Sequence, residues 1–220
     1  MLSAQLAVAA GVETELRIAV RVRNEARLPM GTLLGAEGVS GRIFQGAGIT
    51  TDWLNCEPEF MQSGGSSPCE SPTGPAEVLI DFVPDKGLKH LGFGHTTLGV
   101  AHLPVEKRFA TNAFICCPCV KNLATTVASD AERESLTSAL LGSVMAHELG
   151  HLLGVRDHSL FGVMHAPWSR EELAMAQQGR LSFIPREQRA IQAEIRMRQR
   201  EAVRLGAHRL DEVEARATER

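Results

Sequence analysis

The chain has 220 residues, a formal net charge of −3 and 44% hydrophobic residues, enough apolar material for one good core plus an appendage. A charge balance this slight gives no reason to expect a nucleic acid or an anionic membrane as partner. No run of about 18 apolar residues occurs, which excludes a membrane-spanning helix.

Residues 1–14 hold a short apolar stretch ending in small residues, without a positively charged start. They read either as an N-terminal tail or as the remnant of an export signal. From Glu15 to Asn24 the pattern alternates: Leu16, Ile18, Val20 and Val22 face one way, and Arg17, Arg21 and Arg23 the other, as in a half-buried strand. Leu33, Ala36, Val39, Ile43 and Ala47 follow a helical spacing weakened by glycines. Ile49 to Leu54 is a short strand, and 57–76, rich in Pro, Gly and Ser, is an irregular loop. Val78 to Val83 (VLIDFV) reads as a central strand, 91–104 as Gly-rich and then extended, and Asn112 to Val120 as a further strand.

A long helix then runs to about Leu153, with Ser129 or Asp130 as its N-cap. Leu140, Val144, His147 and His151 share one of its faces. Ser169 and Glu172 form a capping box that opens another helix. Pro185 starts a last helix, in which residues 186–220 carry nine Arg and seven Asp or Glu. That is a mixed-charge, weakly amphipathic rod rather than a basic arm. The expected division is therefore a tail over 1–14, a main domain over 15–184 and a helical extension over 185–220. Nothing in the patterning points to an oligomeric state.

Cys56 and Cys69 bracket the Gly/Ser/Pro-rich loop. A disulfide there would staple a segment that cannot pack itself, and would suit a secreted or periplasmic protein. The alternative is two free thiols in a cytoplasmic loop. Cys116, Cys117 and Cys119 fall on the predicted strand 112–120, where neighbours point to opposite faces, so Cys116 and Cys117 do not easily share a metal. With no partner CxxC, a zinc ribbon does not fit. The cluster reads as small apolar strand residues with one thiol open to reaction. Five cysteines leave at least one unpaired within the chain.

The chemistry is concentrated in HELGHLLGVRDHSLFGVM, residues 147–164. Histidines four apart on a helix stand one above the other, so His147 and His151 can direct two imidazoles at one zinc ion. Glu148 flanks that ion without ligating it, where it can take a proton from a metal-activated water and hand it to a leaving amine. Two hydrogen-bonded structural histidines are the plain alternative. Gly154 suits a left-handed helix end that turns the chain back toward the metal, which brings Asp157 or His158 within reach as third ligand.

With these residues in place the sequence resembles the metzincin clan of zinc peptidases, whose signature HExxHxxGxx(H/D) is followed by a Met-turn. The match runs His147-Glu148-x-x-His151-x-x-Gly154-x-x-Asp157, with Met164 as the Met-turn residue, and covers about 15–180. The resemblance implies an α/β zincin fold: a twisted, mostly parallel sheet whose antiparallel edge strand, near Leu98 to Leu103, pairs with an extended substrate through Gly99, Val100, Ala101 and His102. The sequence departs from the clan in three respects. The ligand-to-Met164 gap is short, no cysteine-switch segment stands before the catalytic part, and there is no tyrosine. The tyrosine that some members place near the metal is thus missing, which leaves oxyanion stabilisation to zinc and backbone N–H groups.

Clan spacing puts the third ligand at Asp157. His158 is the favoured alternative, because imidazole is an excellent zinc donor and His158-Ser159 resembles the His-Ser pair of matrix-type members. Asp157 would then accept a hydrogen bond from a ligand imidazole. His90, His95 and His102 read as surface residues, with substrate contact as the alternative for His102. His165 reads as a polar neighbour of the turn, and His208 lies in the tail. The expected activity is zinc-dependent peptide-bond hydrolysis acting on a peptide or protein substrate. The rivals are a non-catalytic zinc-binding module of the same fold and an interaction protein that docks through its C-terminal helix.

Overall fold

The computed structural model describes residues 15–56, 69–84, 97–103, 108–127, 129 and 131–218. The N-terminal tail, His90, His95, most of the predicted loop and the His208 side chain lie outside the described residues. Among those residues the fold is mixed α/β, with five strands in one sheet and five helices. In chain order these are β1 (Arg17–Arg23), α1 (Met30–Gln45), β2 (Thr50–Asn55), β3 (Glu77–Val83), β4 (Gly99–His102), β5 (Asn112–Cys116), α2 (Cys117–Val127), α3 (Arg133–Leu152), α4 (Arg170–Gln177) and α5 (Pro185–Thr218). No helix here is long and apolar enough to cross a membrane.

The strand order is β2-β1-β3-β5-β4. Four strands run parallel, and β4 pairs antiparallel with β5 at the edge. β1 lies inside the sheet, so its alternation does not leave one face in water. Arg21, expected to point to solvent, is buried; its guanidinium donates to the Ser71 carbonyl at 2.6 Å and to Glu77 at 2.6 Å.

Two elements differ from the sequence reading. The predicted strand 112–120 stops at Cys116, and α2 begins there. Short apolar runs are ambiguous between strand and helix, and Pro118 fits a first helical turn, where its missing N–H has no intrahelical partner to lose. α3 starts at Arg133 rather than near Ser129; Glu132 is its N-cap, and Ser129 bonds that residue's side chain at 2.6 Å. α3 is also not a one-faced helix: every residue from Ala139 to Gly150 is buried. It packs against α1 and contacts β3, β4 and β5, so it is the centre of the core. The capping box at Ser169 and Glu172 forms as expected.

The predicted loop staple is present as a Cys56–Cys69 disulfide between the end of β2 and the segment leading into β3. A second disulfide, Cys116–Cys119, replaces the expected set of strand thiols, and only Cys117 is free. The change follows from α2. A helical first turn brings residues three apart together, with Cα atoms 5.3 Å apart, where a strand would separate them.

The first turns of α5 pack into the same core. Ile191, Ile195 and Arg198 are fully buried, and Gln192 donates to the Ala47 carbonyl at 2.7 Å. Arg198 acts as a clip. Its guanidinium donates to the carbonyls of Pro75 (3.3 Å), Ala110 (2.8 Å) and Leu152 (2.9 Å), and to Glu194 (2.8 Å). It also stacks on Phe109, 4.9 Å from the ring centroid. Those carbonyls belong to the approaches of β3 and β5 and to the last turn of α3. Arg198→Ala leaves three carbonyls and the half-buried Glu194 carboxylate without their donor, so a loss of about 2–4 kcal/mol is expected. Denaturant unfolding checks this, and a loss under about 1 kcal/mol would contradict the clip.

Candidate metal centre

α3 carries His147 and Glu148 into the core and holds His151 half-buried before it ends. The end is a Schellman motif: Gly154 has φ +99°, Val155 N–H donates to the Gly150 carbonyl at 3.0 Å, and Gly154 N–H donates to that of His151 at 3.3 Å. Glycine tolerates this backbone where an L side chain does not. The chain reverses there and brings 155–164 back along the helix.

The reversal supplies two acceptors that no sequence motif announces. His147 Nδ1 donates to the Val163 carbonyl at 2.8 Å, and His151 Nδ1 to the Val155 carbonyl at 2.7 Å. A carbonyl only accepts, so both rings hold their proton on Nδ1 and turn an Nε2 lone pair outward. Burial depresses both ring pKa values, that of His147 to about 4, so both rings are neutral, the form a metal binds.

The same reversal brings His158 to the two helical histidines. The three rings offer ligand atoms within 4.8 Å of one another. The His151 Nε2 lies 3.2 Å from that of His147 and 3.3 Å from that of His158. Ligands about 2.0–2.1 Å from a tetrahedral ion stand roughly 3.3–3.4 Å apart, so the donor set fits zinc. The His147 and His151 nitrogens face each other as two acceptors with no proton between them. Such a pair repels unless a cation shares the lone pairs.

Asp157 is exposed and lies outside the cluster; its charge favours protonation of His151, against the effect of burial. The hydrogen bond it was expected to accept from a ligand ring is, for His147 and His151, accepted by Val163 and Val155. The His158 loop is held from α5. The Ser159 hydroxyl bonds the buried carboxylate of Glu187, whose other oxygen accepts from Ile184 N–H at 2.9 Å, while Arg186 reaches the same hydroxyl at 3.0 Å. Met164 is fully buried, and a Cβ on Gly150 would come within 2.6 Å of its sulfur.

Glu148 lies against the edge strand. A side chain at Gly99 would place its Cβ 2.7 Å from Glu148 Cγ, so only glycine fits there. Burial pushes the Glu148 carboxyl up to about 8, opposed by a hydrogen bond from the Ala101 backbone. Cys116 N–H donates to the Leu98 carbonyl at 2.8 Å. In an antiparallel pair, alternate residues turn their backbone groups away from the partner, so Gly99 and Ala101 direct theirs outward. Val100 faces Phe114, and His102 is exposed at the strand's end. Beside His147 and His158 opens a cavity of about 880 Å³, walled by Gly99 of β4, Cys119 and Asn122 of α2, and Trp168. His165 also lines it, and its Nδ1 lies 2.8 Å from the buried carboxylate of Glu172.

The geometry separates the two candidate third donors. His158→Ala should lower zinc affinity far more than Asp157→Ala, whose loss should stay within about 10–100-fold, the usual cost of removing a group that only orients a ligand. Competition against a chromogenic chelator measures both, and the reverse ranking would return Asp157 to the ligand position.

No protein-family model matches the chain, and no curated protein matches it. Among solved structures the chain is similar to archaemetzincin from Methanopyrus kandleri. The match covers 84% of this chain and 99% of that one, with 16% sequence identity and a TM-score of 0.48.

Proposed function

We propose that this protein is a metzincin-like zinc endopeptidase, with His147, His151 and His158 as metal ligands, Glu148 as general base and Met164 as the Met-turn residue. The observation that carries the reading is the pair of facing Nε2 acceptors on His147 and His151, their Nδ1 protons already committed to Val163 and Val155. Zinc supplies Lewis acidity there, polarising a carbonyl and making water a nucleophile near neutral pH.

The chain's own groups do the rest. The outward backbone groups of Gly99 and the Ala101 carbonyl pair with an extended peptide as an added strand. The adjoining cavity takes one of its side chains, and Val144 and Leu123 give it apolar walls. Glu148 removes a proton from the attacking water and returns it to the departing amine. Its carboxyl, raised to about 8 by burial, is a base at neutral pH only with positive charge beside it, so the base and the metal function together.

A non-catalytic zinc module is the rival reading. A structural zinc site has four protein ligands and no use for a buried acid; three histidines beside Glu148 and an open cavity favour hydrolysis. We further propose an oxidising compartment for the protein, since disulfides such as Cys56–Cys69 persist there.

Purified protein should contain about one zinc per chain, absent from the His147→Ala/His151→Ala double variant. Glu148→Ala should keep its zinc and its fold while casein hydrolysis falls by about 10²–10⁴-fold. Hydrolysis undiminished in Glu148→Ala, or insensitive to a chelator in the wild type, would refute the peptidase reading.

A further inference from the structure

Cys116, Cys117, Pro118 and Cys119 play no part in the reaction above, yet Pro118 and Cys119 line its cavity. Cys116 is the last residue of β5, and Cys119 lies in the first turn of α2, an eleven-residue helix. Their disulfide has unequal ends. Cys116 is fully buried, whereas Cys119 is half-buried and lines the cavity that also holds His147 and His158. The Cys119 N–H donates to Cys116 Sγ at 3.2 Å. The third cysteine, Cys117, is buried, and burial pushes its thiol up to about 12, so it has no share in exchange.

We propose that Cys116–Cys119 is a thiol-exchange site that takes a low-molecular-weight thiol onto Cys119 from within the substrate cavity. The direction of attack follows from the asymmetry. A thiolate entering the cavity meets the Cys119 sulfur, and Cys116 is out of its reach. The new S–S bond forms between the entering sulfur and Cys119, the Cys116–Cys119 bond breaks, and its electron pair leaves on Cys116 as a thiolate. That leaving group is stabilised in place by the Cys119 N–H and by its position at the N-terminal end of a helix. A second equivalent of the thiol attacks the mixed disulfide, releases Cys119 as a thiol and departs as the small-molecule disulfide. The protein disulfide gains two electrons, and two small thiols lose one each.

Cys56–Cys69 provides an internal comparison. In Cys116–Cys119 the leaving thiolate is held by a backbone N–H at the start of a helix, and a stabilised reduced form makes a disulfide easier to open. The two bonds therefore differ in what they resist. An adduct on Cys119 fills space that a substrate side chain needs, so the exchange state of this bond sets access to the cavity. That last consequence rests on the peptidase reading; the exchange chemistry does not.

The experiment titrates the full chain with mixtures of reduced and oxidised glutathione, quenches with an alkylating agent and maps the cysteines by peptide mass. Cys116–Cys119 should open at a reducing strength at least about tenfold weaker than Cys56–Cys69 requires, with the glutathione adduct on Cys119. In Cys116→Ser the adduct on Cys119 should form without a reductant, from oxidised glutathione alone. Overturning results are the two disulfides opening together, an adduct on Cys116, or no adduct on Cys119 in Cys116→Ser. If that variant does not fold, the wild-type titration decides alone. Casein hydrolysis is then measured on the adduct. An inactive wild type defeats the peptidase reading and leaves the mass result standing, while full activity in the adduct defeats control of the cavity.

Discussion

The hydrogen bonds from His147 to Val163 and from His151 to Val155 link the chemistry of the centre to the path of the chain. Each fixes a tautomer, and so decides which nitrogen is left to bind a metal. Each also requires a backbone carbonyl at one place beside α3, which only a chain reversed at Gly154 can supply. The returning segment is held in turn: Val163 N–H donates to the Ser182 carbonyl at 3.0 Å, and Ser159 is tied to Glu187 of α5. Ring orientation in the middle of the sequence thus depends on residues near its end.

Burial of α3 sets the electrostatics. Adjacent residues His147 and Glu148 are both driven toward their neutral forms, the imidazole by a depressed pKa and the carboxyl by a raised one. The cause is shared: neither charge is well solvated inside a helix packed on all sides. A divalent cation at the three imidazoles changes that balance for the carboxylate, because opposite charge at short range favours ionisation. A carboxyl placed this way ionises most readily when a cation lies beside it. Gly99 contributes by absence, since any side chain there would take the space in which the Glu148 carboxyl packs.

Much of this was legible in the sequence where a period or a spacing carries the signal. Alternation gave β1, an apolar run gave β3, and the i, i+4 spacing of His147 and His151 gave two converging rings. The pair Ser169 and Glu172 gave the start of α4. What escaped has no periodic signature. The Val155 and Val163 carbonyls belong to the backbone, which every residue has. The choice between Asp157 and His158 turns on how a short loop folds, a matter of dihedral angles rather than residue type. Glu187 and Arg198 sit in a run of mixed charge, and nothing local separates them from their solvated neighbours. The CCPC run was short enough to suit a strand until the tertiary structure made its second half a helix.

Arg198 has a consequence for the order of events in the cell. Its guanidinium gathers carbonyls at positions 75, 110 and 152, segments that leave the ribosome well before it does. Glu187, which fixes the loop bearing His158, also emerges after all three histidines have been made. While synthesis is in progress, the three histidines exist on a chain that still lacks the ties from Ser159 to Glu187 and from Leu152 to Arg198. The loop bearing His158 therefore gains its tie to Glu187 only once α5 has docked, and an unfinished chain carries the three histidines without that support.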